Sequence, residues 1–452
     1  MLPPEGGRRN SPVDPETYRR QAGAAFRIHG YQRGVEAEIA DRLRPIVETG
    51  DGFAEQHDHI SAAFVYQAVA EVVLEHYDSA HDEGDDLAGV VNECASGLGG
   101  CLKGVSNDPR ARESILRALF AIYRYDVDSG GIGLGVEVPG LILELATPEE
   151  RRMVAGWVRD SIPRDGDEHV EWNRQQYGGF WLSLAADTLD DEGFLRICRE
   201  VGRVEDLVDR LLTLGRLEEA TGEARRAGDY DLIGLANVFV KHRRGGTAEL
   251  LMRERSENTK DSRILEWLRD YYKGRKDNTS TLEMAEKLFR MRPSLEGYKE
   301  TRQLAQRLGR WEALGPELVS FLKHGQHTDT LIRIHLVEGA VDLALEAVRE
   351  KQEHGRWHPY GFSDHDLRLE VAKAAEETQP RPAMEIYRQY AEDLIAQRSR
   401  PYYREACKLL KRVRALHERL GDLDVWTSYV AKLRDTNRKL RALKEEMAAA
   451  GL

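Results

Sequence analysis

The segment LLTLGRLEEATGEA (residues 211–224) decides the fold, because Gly215 stands between two amphipathic helical patterns. Comparable segments surround Gly246, Gly309 and Gly339. The four glycines are separated by 31, 63 and 30 residues, and the longest interval divides into two units with a further turn near residues 274–278. A repeat of about 31 residues that joins two helices through glycine is typical of tetratricopeptide-like arrays. The sequence therefore predicts an α-solenoid of helix pairs over residues 170–400.

Small residues in these segments support the same fold. Glycine adopts the left-handed conformation that ends the first helix of a pair. Ala220, Ala285 and Ala344 would allow the two helices to approach closely. Because a single pair cannot bury its apolar stripe, neighbouring pairs are expected to stack into one continuous core.

The first third of the chain predicts helices without a clear repeat. Residues 1–13 are expected to form a disordered tail, and Asp14-Pro15-Glu16 is a helix-start pattern. The apolar periodicity then predicts helices over residues 15–28, 32–49, 60–80, 85–103, 109–125, 137–146 and 148–161. The polar joint IPRDGDEHVEW (residues 162–172) marks the end of this irregular all-α domain, which is predicted to span residues 14–165.

The C-terminal residues 401–452 predict helices that close the solenoid. The segment 425–447 reads as one helix whose apolar seam includes Val430, Leu433, Leu440 and Leu443. Asn437 interrupts this seam. It would either fix the register of a partner helix or belong to a capping helix with a polar outer face.

Charge is distributed unevenly along the 452 residues, which carry a net charge of −12. Residues 1–170 hold 17 Lys and Arg against 30 Asp and Glu, and no Lys or Arg occurs between Arg44 and Lys103. Such a surface would repel nucleic acid, and it would either attract a basic partner or simply be solvated. The chain contains neither an apolar run long enough for a membrane span nor the apolar core of a secretory signal, so a cytoplasmic location is expected.

Cysteines and histidines predict no metal centre. Cys94, Cys101, Cys198 and Cys407 are too few and too scattered for a disulfide framework or a zinc site. Cys198 and Cys407 lie on apolar helical faces and are expected to be buried thiols. Four histidines could bind a metal if the fold brought them together, and otherwise they are expected to lie on the surface. They are His57, His59, His76 and His81.

A calcium loop is suggested by DVDSGGIGLGVE (residues 126–137). Counted from Asp126, it has Asp128 at position three, Gly131 at position six and Glu137 at position twelve, which is the skeleton of an EF-hand. Glycine replaces the expected ligand at position five, so the two aspartates would alternatively only cap and turn the chain. The glycines at 130–135 do not form a dinucleotide or phosphate fingerprint.

Basic residues are concentrated near the C-terminus. Residues 401–452 hold 12 Lys and Arg against 7 Asp and Glu, with aromatic residues between them. This pattern indicates either a phosphate-binding surface or a solvated helix face. The residues that would contact nucleic acid are Lys411, Arg412, Arg438, Lys439 and Arg441.

Three segments carry a resemblance to a known family. They are GGFWLSLAADTLDDEGFLRICREVGRVEDLVDRLLTLGRLEEA (residues 178–220), YYREACKLLKRVRALHERLGD (402–422) and DVDSGGIGLGVEVPGLILELATPEERR (126–152). They resemble the helical-repeat region that follows the zinc finger in bacterial SWIM zinc-finger proteins. That resemblance implies a scaffold whose companion finger contacts DNA or protein. The Cys-x-Cys and Cys-x-His pairs of the finger are absent from the sequence, so zinc is not implied, and the finger would be lost or supplied by another chain.

Function is predicted only as a class. Nucleophile motifs, a phosphate cradle and metalloenzyme motifs are missing from the sequence, so a non-enzymatic scaffold that binds a protein partner is the first expectation, without a cofactor. The alternatives are a nucleic-acid-associated accessory protein and a calcium-dependent regulatory protein.

Overall fold

The protein is all-α. The computed structural model describes residues 13–27, 35–80, 82, 84–164, 168–353 and 362–452, and these form 24 helices and no strand. Contacts between Cα atoms divide the chain into two compact units, Met1–Leu251 and Met252–Leu452. The predicted tail lies, apart from Val13, outside the described residues, and so does His81.

The N-terminal unit begins with eight helices of irregular length. They are α1 (Pro15–Ala25), α2 (Val35–Glu55), α3 (His59–Ala80), α4 (Asp86–Gly104), α5 (Pro109–Asp128), α6 (Val138–Leu145), α7 (Pro148–Ser161) and α8 (Glu168–Ala185). Asp14 caps α1 by accepting a hydrogen bond from the backbone N–H of Glu16. Thr147 and Glu150 form a capping box at the start of α7. Prolines at the first helical position follow both caps, as the sequence pattern predicted for α1.

The core of this unit runs without interruption from α1 to α8. Val154 and Val158 of α7 belong to the same buried cluster as Tyr177 and Phe180 of α8. The predicted boundary at the polar joint therefore falls inside a continuous core, whereas the division seen in the contacts lies after Leu251. The polar composition of the joint did not show that α7 and α8, on either side of it, share one core.

Regular helix pairs follow in both units. The N-terminal unit continues with α9 (Asp191–Glu200), α10 (Val204–Thr213), α11 (Leu217–Arg226) and α12 (Asp229–Lys241), and α13 (Gly245–Ser256) includes the point of division. The C-terminal unit contains α14 (Ser262–Gly274), α15 (Asn278–Met291), α16 (Leu295–Arg307), α17 (Trp311–His324), α18 (Thr328–Val337), α19 (Val341–Glu353), α20 (Phe362–Ala375), α21 (Pro380–Ala396), α22 (Arg400–Leu420), α23 (Leu423–Thr436) and α24 (Arg441–Ala449).

Within each unit these helices pack on their neighbours in sequence. For example, α15 contacts both α14 and α16, and α18 contacts both α17 and α19. The small residues that were expected between paired helices, Ala220, Ala285 and Ala344, are all buried. The predicted α-solenoid of tetratricopeptide-like helix pairs, preceded by an irregular helical domain, is confirmed.

The turns between paired helices share one backbone motif. A left-handed residue occurs at Gly215, Arg243, Lys276, Gly309 and Gly339. The N–H of the next residue donates to a carbonyl five residues earlier, as from Arg216 to the Leu211 carbonyl at 2.9 Å and from Asp277 to the Tyr272 carbonyl at 3.0 Å. This is the Schellman arrangement, which satisfies carbonyls at the end of a helix.

The positions of these turns partly confirm the predicted repeat. The turn expected near residues 274–278 is present at Lys276. The prediction for Gly246 is wrong, because this glycine lies inside α13 and Arg243 supplies the left-handed residue instead. A basic side chain at such a turn carries no glycine signal, so the sequence pattern pointed to the nearest glycine.

Lys276 offers a test of this motif, because it is exposed and has a φ of 62°. A non-glycine residue in this conformation costs roughly 1–2 kcal/mol, which glycine would remove. Part of that gain is lost because glycine also gives the unfolded chain more conformational freedom. Lys276→Gly is expected to raise the free energy of unfolding by up to about 1 kcal/mol. Gly309→Ala, the reverse change at the equivalent turn, is expected to lower it by a similar amount. Urea unfolding measures both, and a loss of stability in Lys276→Gly would contradict the assignment.

The end of the chain differs from the single helix predicted over residues 425–447. The helix breaks after Thr436, and the Asn437 side-chain amide donates to the Leu433 carbonyl at 2.9 Å. The following helix, α24, packs on α22, where its Leu443 and Met447 are buried. Asn437 therefore ends a helix, and the prediction of one continuous seam was wrong.

Among the helices that the structure describes, none combines the length and the apolar character needed to cross a membrane.

Candidate functional site

A cleft of about 880 Å³ lies between α21 and α23 in the C-terminal unit. Both helices pack on α22, which leaves a space where their facing sides diverge. Arg388, Glu392 and Ile395 face it from α21 at helical spacing. Tyr429, Lys432, Leu433 and Thr436 face it from α23, and the link 437–440 closes one end. Because Asn437 ends α23, this link turns back toward α22 and completes the cleft.

Positive charge dominates the lining of this cleft. Among the described residues that line it, five are cationic and one, Glu392, is acidic. The cationic residues are Arg388, Arg398, Lys432, Arg438 and Lys439. Within the described ranges of the chain, all of them except Arg388 lack an ion-pair partner. The cleft therefore carries a concentration of uncompensated positive charge.

Most other cations of the last helices are already paired. Seven ion pairs with nitrogen–oxygen distances of 2.6–3.4 Å involve Arg400, Arg404, Lys408, Arg412, Arg414, Arg419 and Arg441. In the part of the chain that is described, Lys411 and Lys444 are unpaired as well, but neither lines the cleft. The cleft therefore differs from the rest of the last helices because several unpaired cations surround the same space.

Arg388, Tyr429 and Glu392 form a fixed group on the cleft wall. The Arg388 guanidinium stacks over the Tyr429 ring at 4.2 Å from the ring centroid. The Tyr429 hydroxyl donates to Glu392 Oε1 at 2.9 Å. Burial, together with this hydrogen bond to a carboxylate, raises the pKa of Tyr429 well above its ordinary value. The hydroxyl therefore stays protonated at neutral pH and holds the carboxylate in place.

The structure separates the five residues predicted to contact nucleic acid. Arg438 and Lys439 line the cleft. Arg412 instead bonds to Glu376 at 2.8 Å and to the Tyr387 hydroxyl at 3.1 Å. Arg441 pairs with Glu445 in the adjacent turn of its own helix, and Lys411 is exposed on α22 outside the cleft.

Sequence reasoning missed the contribution of α21 to this site. Arg388 and Glu392 lie one helical turn apart and therefore share a face. That spacing is visible in the sequence, but it does not show which helix the face opposes. Arg398, which follows the end of α21 in a left-handed conformation, gave no glycine signal for a turn.

The predicted calcium residues lie around a glycine-rich loop in the N-terminal unit. Asp126 and Asp128 belong to the last turn of α5, and Asp126 Oδ1 accepts hydrogen bonds from the backbone N–H groups of Gly133 and Leu134 at 2.8 Å. The Tyr177 hydroxyl donates to Asp128 Oδ1 at 2.7 Å. The carboxylates therefore already accept protein donors.

The third predicted ligand, Glu137, is exposed just before α6. Nowhere in the described ranges do three or more His, Cys, Asp or Glu side chains form a group that could hold a metal ion. Calcium binding by Asp126, Asp128 and Glu137 stays an untested prediction.

All four cysteines are buried free thiols, as was predicted for Cys198 and Cys407. Burial raises the pKa of Cys101 and Cys198 to about 12 and that of Cys407 to about 11, and it raises the pKa of Cys94 further. A thiol becomes a nucleophile only as the thiolate. None of the four is therefore a reactive nucleophile at neutral pH.

The histidines are less exposed than predicted. His57 is exposed, but His59 is half-buried and its ring fills the space beside Gly104. His76 stacks on Phe26 at a centroid distance of 4.7 Å. His59 and His76 thus have packing roles that the sequence did not indicate.

Comparisons with known proteins identify no family. No family model matches the chain. A stretch of 102 residues, or 22% of this chain, is 29% identical to YwqB, an uncharacterized protein of Bacillus subtilis (strain 168), and it spans 19% of the length of that protein. The resemblance to bacterial SWIM proteins finds no support in these comparisons.

Two solved structures show a weak similarity. One is a circular tandem repeat protein with novel repeat topology and enhanced subunit contact surfaces, at 14% identity and a TM-score of 0.24, covering 97% of this chain and 98% of that one. The other is the APC/C hetero-tetramer Cut9–Hcn1, at 11% identity and a TM-score of 0.19, covering 89% and 93%. Because both TM-scores are low, the fold assignment depends on the helices and turns described above.

Proposed function

We infer that the chain is a non-enzymatic cytoplasmic scaffold, which binds a protein partner through its helical-repeat surface as a subunit of a larger complex. The observation that carries this inference is the series of Schellman turns between paired helices. Stacked pairs present an extended surface relative to their mass, and such surfaces bind other proteins in many repeat architectures. The four protonated, buried thiols are consistent with a binding role.

Exposed apolar side chains on the array support contact with another protein. Val337, at the end of α18, is 54% exposed, and Leu343, in the first turn of α19, is 44% exposed. They flank the Gly339 turn and are thus close in the chain. Apolar residues beside an inter-helix turn add little to the array itself but would be buried by a docked partner.

The test compares two matched double variants in the native host. Val337→Glu/Leu343→Glu is expected to abolish recovery of a stoichiometric partner with the affinity-tagged protein, because two charges would be buried in the contact. Leu423→Glu/Val425→Glu on α23 alters two residues whose exposures, 43% and 54%, closely match those of the first pair, and it should retain the partner. Reciprocal purification and hydrogen exchange across α18 and α19 identify the contact. A parent protein that purifies as a monomer without a stoichiometric partner would overturn the inference.

The resemblance to SWIM proteins suggests the first partner to test. A separate chain that carries the Cys-x-Cys and Cys-x-His ligands would restore the finger that this sequence lacks. The alternative function, a nucleic-acid-associated accessory role, is favoured by the unpaired Arg438 and Lys439 in the cleft. Binding of nucleic acid through such residues would weaken steeply with salt.

A further inference from the structure

We propose that the cleft between α21 and α23 binds an acidic peptide segment of a protein partner. This inference depends on the proposed scaffold function only for the source of the segment. The cleft volume of about 880 Å³ is in the range of ligand pockets, about 300–1,000 Å³. Its chemistry, with cations on the rim and an apolar floor at Ile395 and Leu433, suits a short chain of carboxylates.

Helix ends explain only part of the charge in the cleft. Cations near helix C-termini are often present simply because each terminus carries about half a negative charge. The C-termini of α21 and α23 together account for about one charge, and Glu392 and Glu385 neutralise about two more. A positive charge of about two therefore remains on the lining residues. Unpaired like charges held close together repel one another, and an anionic ligand would relieve that repulsion.

The aromatic residues near the cleft disfavour nucleic acid as its ligand. Single-stranded nucleic acid binds where bases stack on accessible rings. Arg388 covers one face of the Tyr429 ring, and Trp426 is only 7% exposed. The Tyr429 ring that lines the cleft thus has one face already occupied by a guanidinium, which leaves less surface for base stacking and favours carboxylates.

A binding assay on the full-length protein tests the proposal. The probe is a fluorescein-labelled peptide of consecutive glutamates, and its anisotropy is measured at about 0.1 M and about 1 M salt, where the Debye length falls from about 10 to about 3 Å. Binding is expected at the lower salt and not at the higher. Lys432→Glu/Lys439→Glu should weaken it by at least about tenfold, since two attractive contacts become repulsive.

Lys411→Glu/Lys444→Glu is the matched control. It makes the same change in net charge at exposed, unpaired lysines outside the cleft, and it should change the affinity by less than about twofold. Equal weakening by both double variants, or no binding by the parent, would overturn the proposal. An oligothymidylate that binds the cleft more tightly than the peptide would assign it to nucleic acid instead. If the peptide binds but no partner is captured, only the scaffold function is contradicted. If a partner is captured but the peptide does not bind, only the proposed role of the cleft is contradicted.

Discussion

Arg112→Ala is expected to lower the stability of the N-terminal unit by about 3–5 kcal/mol, the usual cost of removing one partner from a buried ion pair. Arg112 and Glu150 are 11% and 16% exposed, and Arg112 Nε and Nη2 donate to the two carboxylate oxygens at 2.7 and 2.8 Å. The remaining N–H groups donate to the carbonyls of Leu102, Val105 and Leu145 at 2.5–3.0 Å. One side chain on α5 thus ties together the ends of α4 and α6 and the start of α7. Its removal leaves a carboxylate and three carbonyls without these donors.

The effect of Arg112→Ala should depend on pH. Hydrogen bonds from Arg112 hold the pKa of Glu150 below its ordinary value. A lowered native pKa gives stability that is present above the unfolded value, about 4.3, and is lost as the pH falls through the native pKa. The difference between parent and variant is therefore expected to narrow below about pH 4.

Native-state hydrogen exchange over α4 to α7 measures this loss locally. Arg42→Ala is the control, because its pair with Glu38 is exposed and should contribute less than about 0.5 kcal/mol. Arg112→Lys keeps the charge without the five donors and should give an intermediate loss if the alanine variant does not fold. A change in stability below about 1 kcal/mol in Arg112→Ala would show that the network contributes little.

Gly97→Ala is expected to lower stability by about 1–3 kcal/mol through overpacking. The Tyr66 ring of α3 lies between Gly50 of α2 and Gly97 of α4, and its hydroxyl donates to Asp51 at 2.5 Å. A Cβ atom at Gly97 would lie 2.6–2.9 Å from three ring atoms, and one at Gly50 would lie 2.7–3.1 Å away. Because Tyr66 is held from both sides, its ring cannot move aside without displacing another helix.

Gly100→Ala provides a control on the same helix. A Cβ at Gly100 meets nothing within 4 Å, so this variant should gain about 0.5–1 kcal/mol from the higher helix propensity of alanine. In a Tyr66→Leu background the Gly97→Ala change should become neutral or favourable, with a coupling energy of about 0.5–3 kcal/mol. Thermal unfolding of the parent, the two single variants and the double variant completes the cycle. Equal stabilisation by Gly97→Ala and Gly100→Ala would contradict the close packing of Tyr66.

The fold could be predicted wherever its signals were local. Asp14-Pro15 and Thr147-Pro148 are short cap patterns, and each marks a helix start that the structure contains. Arg243 and Lys276 form the same turn as glycine, but only the repeat spacing located the second of them. The break at Asn437 was hidden because apolar periodicity continues on both sides of it. The polar joint suggested a boundary because core contacts between α7 and α8 are not visible in a sequence.

The site could be predicted only in part for a related reason. Clustering along the chain identified Arg438 and Lys439, which line the cleft. It did not identify Arg388, which lies on a helix that faces them only after folding. It also could not show that Arg412 is paired with Glu376, 36 residues away. A cation becomes available to a ligand through the absence of a nearby carboxylate, and that depends on tertiary contacts.

The burial of the four native thiols makes the protein suitable for selective chemical labelling. Burial raises their pKa to about 11 or more, so they stay protonated at pH 7, whereas a cysteine on an exposed helix ionises to a few per cent. A cysteine placed at Lys439 or at Lys411 would react with maleimide probes while the native thiols remain protected in the core. Spin labels or photo-crosslinkers attached at these two sites would then report directly on which surface a bound peptide occupies.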